Sequence, residues 1–319
     1  MKQITQEFPN DVRFVYRNFP LIGTPESPFH DKAALSTQAA EAAGKQGSFW
    51  QMYDILYSRQ SEWSSLSLDE FQQWLIERAG ELNIDVKQFT ADLTSQELVD
   101  FAQKAWDDGQ AELGLSGTPT LFVDGHPWTS STPLDHYSIA TIIRLELLAY
   151  DQFTECPPIT INTAKQYTAT LHTVKGDIVI ELYADKAPVT VNSFVFLAQH
   201  GWFDGVTFHR VLAGKLAQTG DPSGTGYGTP GYAFINEISP DLQYNGAGVV
   251  GMANSGADSN GSQFFITETA LPELNGSYTI FGHVIQGLDV VNDLTPRDPS
   301  QSGELPPGDE ILSVTINEK

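Results

Sequence analysis

The chain has 319 residues, 40% of them hydrophobic and 11% aromatic, which fits ordered globular structure and a length better suited to two domains than to one core. Its formal charge is −23, with acid in excess in both halves, a field that repels phosphate backbones and anionic lipid and argues against nucleic-acid and membrane-surface partners. No run approaches the roughly eighteen apolar residues of a membrane span, and the single cysteine, Cys156, leaves no intrachain disulfide, CxxC pair or thiolate metal cluster in the chain as given.

The opening "MKQITQEFPND" has neither the apolar core nor the cleavage site of a signal peptide. A short β-like piece, "VRFVYRNF", precedes a mostly helical stretch from residue 28 to residue 150. There "DKAALSTQAAEAAGKQ", "SFWQMYDILY", "LDEFQQWLIERAGEL" and "SQELVDFAQKAWDDGQAELG" repeat apolar residues every three or four positions. A second β-like piece, "TPTLFVDG", and a helix from about Pro133 to Tyr150 complete this half. The proline-containing polar stretch "DQFTECPPITINTAKQ" reads as a linker over residues 151–165, with Cys156 as an unpaired linker thiol.

From Tyr167 the pattern turns to β: "YTATLHTVKGDIVIELY" alternates around a Lys175-Gly176-Asp177 turn, as a hairpin does. One amphipathic helix follows from near Pro188, then an Asp204-Gly205 turn, and strands are predicted at "TFHRVL", "GVVGMAN", "SQFFIT", "TIFGHVI" and "ILSVTIN". Many strands with few helices predict a closed barrel.

The blocks "GDIVIELYADKAPVTVNSFVFLA", "FDGVTFHRVLAGKLAQTGDPSGTG", "GVVGMANSGADSNGSQFFIT" and "LNGSYTIFGHVIQGLDVV" resemble the cyclophilin-type peptidyl-prolyl cis-trans isomerases, in the family's order and across residues 166–319. The resemblance implies an all-β, eight-stranded antiparallel barrel with two capping helices and an active groove on its outer face. The first half is similar to the DsbA-like branch of the thioredoxin superfamily, on "FPNDVRFVYRNFPL", "AALSTQAAEAAGKQGSFWQMYDILY" and "LGLSGTPTLFVDG". That likeness implies an α/β thioredoxin-like domain over residues 1–150 with a helical insertion and a cis Thr118–Pro119 bond. The redox cysteines of that branch are absent, and "MKQITQEFP" matches the end of the helix that carries them, so Met1 is expected to be an internal methionine of a longer, exported protein.

Rotation about an X–Pro bond is resisted by about 18–20 kcal/mol because the nitrogen lone pair is delocalised into the carbonyl. Lowering that barrier needs no nucleophile, metal or cofactor, only a grip on the proline and a charge that favours the localised lone pair. The resemblance assigns that charge to Arg210. It implies that Leu216, Phe265, Leu274 and Tyr278 line the proline pocket, with Gln218 and the backbone at Ala253 and Asn254 holding the flanking chain and Gln263 beside a neighbouring subpocket. Two positions depart from the family: Lys215 replaces a pocket phenylalanine and Glu273 a rim tryptophan. They are expected to lie close, to pair across the rim, and to weaken cyclosporin binding more than turnover.

His209 and Asp221 do not form an acid–base couple with Arg210, since adjacent strand residues face opposite sides; His209 is expected to be a hydrogen-bonded structural residue and Asp221 to tie down the following loop. "GYGTPG" at 226–231 satisfies GxGxxG without a preceding strand or a following helix and reads as a flexible rim loop, not a dinucleotide cradle. The expected partners are proline-containing unfolded or partly folded polypeptides. Two other readings remain open: a non-catalytic proline-peptide or chaperone module, and a thiol–disulfide oxidoreductase fused to an isomerase if a CxxC lies upstream.

Overall fold

The computed structural model describes residues 2–24, 27–111, 114–115, 117–128, 133–301 and 305–319; Met1 lies outside them. The chain separates into two compact units, Met1–Thr132 and Pro133–Lys319.

In the first unit α1 (Lys2–Glu7) precedes a two-residue pair, β1 (Gly23–Thr24) with β2 (Ser27–Pro28). Six helices follow: α2 (Ala33–Gly44), α3 (Phe49–Ser58), α4 (Gln60–Trp63), α5 (Leu68–Ala79), α6 (Val86–Leu93) and α7 (Gln96–Ala111). Side chains set the starts of two of them: Ser67 and Glu70 form a reciprocal capping box on α5, and Asp85 accepts from the Gln88 N–H at the head of α6. Ala39, Ala42 and Ala43 give α2 a small buried face, against which Met52, Phe71, Leu75, Phe89 and Leu93 pack. The pair β3 (Phe122–Val123) with β4 (His126–Pro127) closes the unit, just after a cis Thr118–Pro119 bond at the expected place.

"VRFVYRNF" departs from its expected strand. Residues 12–18 alternate between half-buried and exposed, as a strand would, yet among the described residues no neighbouring segment supplies a ladder, so the stretch is not a strand. Its inward aromatics, Phe14 and Tyr16, lie against Trp50 and Tyr53 of α3 instead.

The second unit begins with α8 (His136–Ala149), capped by Asp135, whose carboxylate accepts from the Ser138 N–H. Leu148 of α8 enters the second unit's core, Gln152 donates to the Thr229 carbonyl and the Phe153 N–H to that of Pro230. The boundary between units therefore lies upstream of the expected linker, and the linker itself is anchored: the N–H groups of Thr160 and Ile161 both reach Asn192 Oδ1.

Strands β5 (Tyr167–Thr173) and β6 (Gly176–Leu182) form the expected hairpin, and α9 (Pro188–Gln199) starts with proline in its first turn. The N-terminal N–H groups of Val189 and Thr190 are taken by the Glu237 carboxylate, supplied from far along the chain. Then come β7 (Val206–Thr207), β8 (Arg210–Leu212), β9 (Leu216–Thr219), β10 (Val249–Met252), β11 (Phe264–Thr267), a 3-10 turn at Pro272–Leu274, β12 (Ile280–Gln286), α10 (Leu288–Asn292) and β13 (Glu310–Glu318).

All sheet pairs are antiparallel, in the order β7-β13-β5-β6-β12-β10-β11-β9-β8, nine strands against the eight expected. The two outermost strands, β7 and β8, are halves of one segment interrupted at Phe208 and His209. Counted as one, they give eight strands and close the sheet into a ring through the chain itself. Inside lie Leu171, Ile178, Ile180, Phe194, Phe203, Phe208, Phe264 and Phe281, with Phe194 of α9 stacked on Phe203 at 5.0 Å.

Candidate active site

Strand register builds the site. Arg210 of β8 stands opposite Gln218 of β9, Gln218 opposite Phe265 of β11, and Phe265 opposite Gly251 of β10. Directly opposed residues in an antiparallel sheet share a face, so these four form one row on the outside of the barrel, while their neighbours Val211, Ala217, Phe264 and Val250 point into its core.

Along that row Arg210 Nη1 donates to Gln218 Oε1 at 3.1 Å, and Gln218 Nε2 donates to Gln263 Oε1 at 3.0 Å. Gln263 Nε2 in turn donates to the Gly226 and Gly228 carbonyls, each at 3.0 Å. The guanidinium is thereby oriented by a polar chain that runs back to the rim loop, leaving its remaining N–H groups to face the groove.

Beside it sits an apolar cluster distinct from the barrel interior. Phe265, only 4% exposed, is stacked on Tyr244 (5.6 Å) and meets Tyr278 edge-on (5.7 Å). Leu216, Leu271 and Ile280 are buried around it, and Leu274 and Ala253 are partly buried against it. Burial pushes the Tyr244 phenol well above the usual tyrosine value. The structure thus brings Leu216, Phe265, Leu274, Tyr278 and Ala253 together in one cluster, with Gln218, Gln263 and Arg210 along its edge. The Ala253 N–H donates to the Gln263 carbonyl at 2.9 Å. The Asn254 side chain donates to the Ser277 carbonyl at 3.3 Å.

The Lys215–Glu273 pair does not form. Both residues are exposed, Lys215 in the β8–β9 turn and Glu273 in the 3-10 turn, and among the described residues no ion pair joins them. The carboxylate at that turn is Glu268: its N–H donates to the Lys215 carbonyl (2.7 Å) and its Oε2 accepts from the Gly214 N–H (2.6 Å). Two long exposed side chains gain too little from each other in water to offset their ordering.

His209 is buried at 3% exposure, but neither ring nitrogen has a hydrogen-bond partner, contrary to the bonded residue expected. Burial lowers its pKa; the Asp221 carboxylate and the approaching Gln263 side chain oppose the shift, the latter at a geometry too poor for a full hydrogen bond, and the Arg297 and Arg210 charges reinforce it. Asp221 does hold its loop: Oδ1 accepts from the Ser223 N–H (2.8 Å) and hydroxyl (2.6 Å), Oδ2 from the Gly226 (2.6 Å) and Gly228 (3.0 Å) N–H groups. "GYGTPG" is therefore a pinned loop, bonded on one side by Asp221 and on the other by Gln263, rather than a flexible one.

Two site residues escape sequence reasoning. Tyr244 lies in "LQYNGAG", where no periodicity marks it, yet it is fully buried behind Phe265. Gly251 carries a signal, a glycine inside a strand pattern: a Cβ there would stand 2.1 Å from Tyr244 Oη and 2.7 Å from Phe265 Cζ. Among the described residues no three His, Cys, Asp or Glu side chains are grouped to hold a metal, and no helix is long and apolar enough to cross a membrane.

Residues 168–316 match the family described as cyclophilin type peptidyl-prolyl cis-trans isomerase/CLD, and residues 2–140 match the family described as thioredoxin. The chain is 45% identical over 182 residues to probable peptidyl-prolyl cis-trans isomerase A of Mycobacterium bovis, across 51% of this chain and 99% of that one. It is 52% identical over 124 residues to peptidyl-prolyl cis-trans isomerase-like 1 of Rhizopus delemar, across 38% and 75%. A solved Cryptosporidium parvum cyclophilin type peptidyl-prolyl cis-trans isomerase, in the presence of the dipeptide ala-pro, is similar at 34% identity with a TM-score of 0.44, over 47% of this chain and 98% of that one. With its isomerase region behind a thioredoxin-like one, the chain belongs to the cyclophilin-type peptidyl-prolyl cis-trans isomerases.

Proposed function

We propose that the outer-face row is where this isomerase turns X–Pro bonds in unfolded or partly folded polypeptides, with Arg210 as the catalytic residue. The single observation that carries the reading is the placement of the Arg210 guanidinium, held 3.1 Å from Gln218, at the edge of the aromatic pocket around Phe265. The proline ring enters between Phe265, Leu216 and Tyr278, which excludes water from one side of the amide. The flanking chain lies along Ala253 and Asn254, and Gln263 contacts the residue before the bond. As the bond twists, conjugation is lost and the nitrogen lone pair localises. A fixed cation aimed at that nitrogen lowers the energy of the twisted state more than that of either planar one, which is what acceleration requires. No bond is made or broken and no proton moves.

Cis-to-trans exchange of a short X–Pro peptide, followed for the wild type and Arg210→Ala, tests this directly. The expected loss in kcat/KM is about 10²–10³-fold, comparable to removing one preorganised donor from an oxyanion hole. Exposure of Lys215 and Glu273 at the pocket rim favours a second reading, a binding module without turnover. It would be indicated by a folded wild type that binds the peptide and leaves its exchange rate unchanged.

A further inference from the structure

The second unit contains three arginines, Arg144, Arg210 and Arg297, in a region rich in Asp and Glu. Arg210 serves the groove. The other two line a single pocket together with Tyr137, Thr141, His209 and Thr225. Arginines in an acidic protein ordinarily find carboxylates; Arg297 does not, and its Nε and Nη1 are buried without a hydrogen-bond partner. Neither nitrogen of His209, only 3% exposed on the same pocket, has a hydrogen bond of good geometry, although the Gln263 side chain approaches the ring.

Among the described residues, two carboxylates close by are committed elsewhere. Asp298 accepts from the Ser300 N–H (3.0 Å) and hydroxyl (2.7 Å), and Asp221 is saturated by the donors of its own loop. An unmet buried donor costs about 1–3 kcal/mol. Burial holds Arg297 below the usual guanidinium value; Tyr137 acts in the opposite direction, and the charge of Arg144 adds a smaller lowering. Two guanidinium groups, an imidazole and hydroxyls converging with buried donors unsatisfied form a cradle for a planar or tetrahedral oxyanion. Its place is fixed relative to the catalytic strand: the Arg297 and Val211 backbones exchange hydrogen bonds at 2.7 and 2.9 Å, one residue on from Arg210.

We propose that this pocket is an oxyanion subsite beside the isomerase groove, taking a carboxylate or phosphate group. Two sources share that chemistry: an acidic side chain of the polypeptide being isomerised, a case that rests on the function proposed above, or a free anion, which does not.

The full chain with labelled His and Arg side chains is titrated with inorganic phosphate at constant ionic strength, following the His209 ring and Arg297 Nε resonances. A saturable shift is expected, with affinity at least about tenfold weaker in Arg297→Met, the loss of one charge-assisted contact. In parallel, exchange is measured on two peptides that differ only in Glu or Gln after the proline. A KM at least about threefold lower for the Glu peptide, lost in Arg297→Met, assigns the substrate as source. A phosphate shift without discrimination between peptides assigns the free anion. If neither peptide is accelerated, the isomerase reading fails while the phosphate titration still decides the pocket. Should Arg297→Met not fold, Arg297→Lys, which keeps the charge but loses the planar fork, is read in its place with a smaller but measurable loss of phosphate affinity expected. Absence of a saturable phosphate shift together with equal KM values overturns the proposal, as does a shift that chloride reproduces.

Discussion

At the scale of single residues, charge and burial give two measurable consequences. His209 is held neutral by burial, its pKa below the ordinary 6.5. The unfolded chain therefore takes up a proton there first as pH falls, so the residue's contribution to stability is complete above 6.5 and is lost as pH drops toward the folded value. The unfolding free energy of the wild type, from urea titrations, is expected to fall between about pH 7.5 and pH 5.5, by no more than about 1.4 kcal/mol per pH unit from this group. His209→Leu should show a shallower slope, and equal slopes would remove His209 from the account. At the rim, Lys215 and Glu273 are not paired, so neutralising each should have additive effects on peptide KM. A coupling above about 0.5 kcal/mol in the double-mutant cycle would restore the pairing. Most site residues were legible because motif context overrode the reading of Phe265 and Leu216 as core. Lys215 was not, since its separation from Glu273 depends on a turn whose backbone is held by Glu268, a long-range contact that no local pattern announces.

At the scale of elements, the barrel strands were readable wherever residues alternate between core and surface, as in β5 and β6. The segment expected as "TFHRVL" is broken because Phe208 and His209 both turn inward, which a period of two cannot accommodate. In the first unit the alternation of "VRFVYRNF" was real but a strand also needs a neighbour, and pairing partners are not encoded in the segment itself. Gly251 shows how one element positions another: its missing side chain lets Tyr244 and Phe265 stack over β10. Gly251→Ala is thus expected to push both rings off the strand, raising KM for X–Pro peptides about tenfold or more, with a cost in stability of about 1–3 kcal/mol for the overpacked site. Unchanged KM in a folded variant would show that the rings do not form the pocket floor.

At the scale of the molecule, the unit boundary at Thr132 and Pro133 assigns α8 to the barrel unit, and Leu148 enters its core. A fragment of residues 133–319 is expected to fold and to match the kcat/KM of the full chain. A fragment of residues 166–319, cut after the expected linker, should lose several degrees of Tm, because Leu148 and the Asn192 and Pro230 contacts go with the missing segment. Equal Tm values for the two fragments would return α8 to the first unit. Sequence patterning placed the helix correctly but not its allegiance, since an amphipathic face does not say which core it joins.

At the barrel's seam β7 and β8 are one interrupted segment, with β7 paired to Glu310 and Ile311 of β13 and β8 to β9. An extended segment adds itself readily to an open ladder and propagates. With the margins of its sheet joined through its own backbone at the seam, this barrel offers such a segment no template there, so a proline-containing chain is expected to be held by its side chains rather than as an added strand.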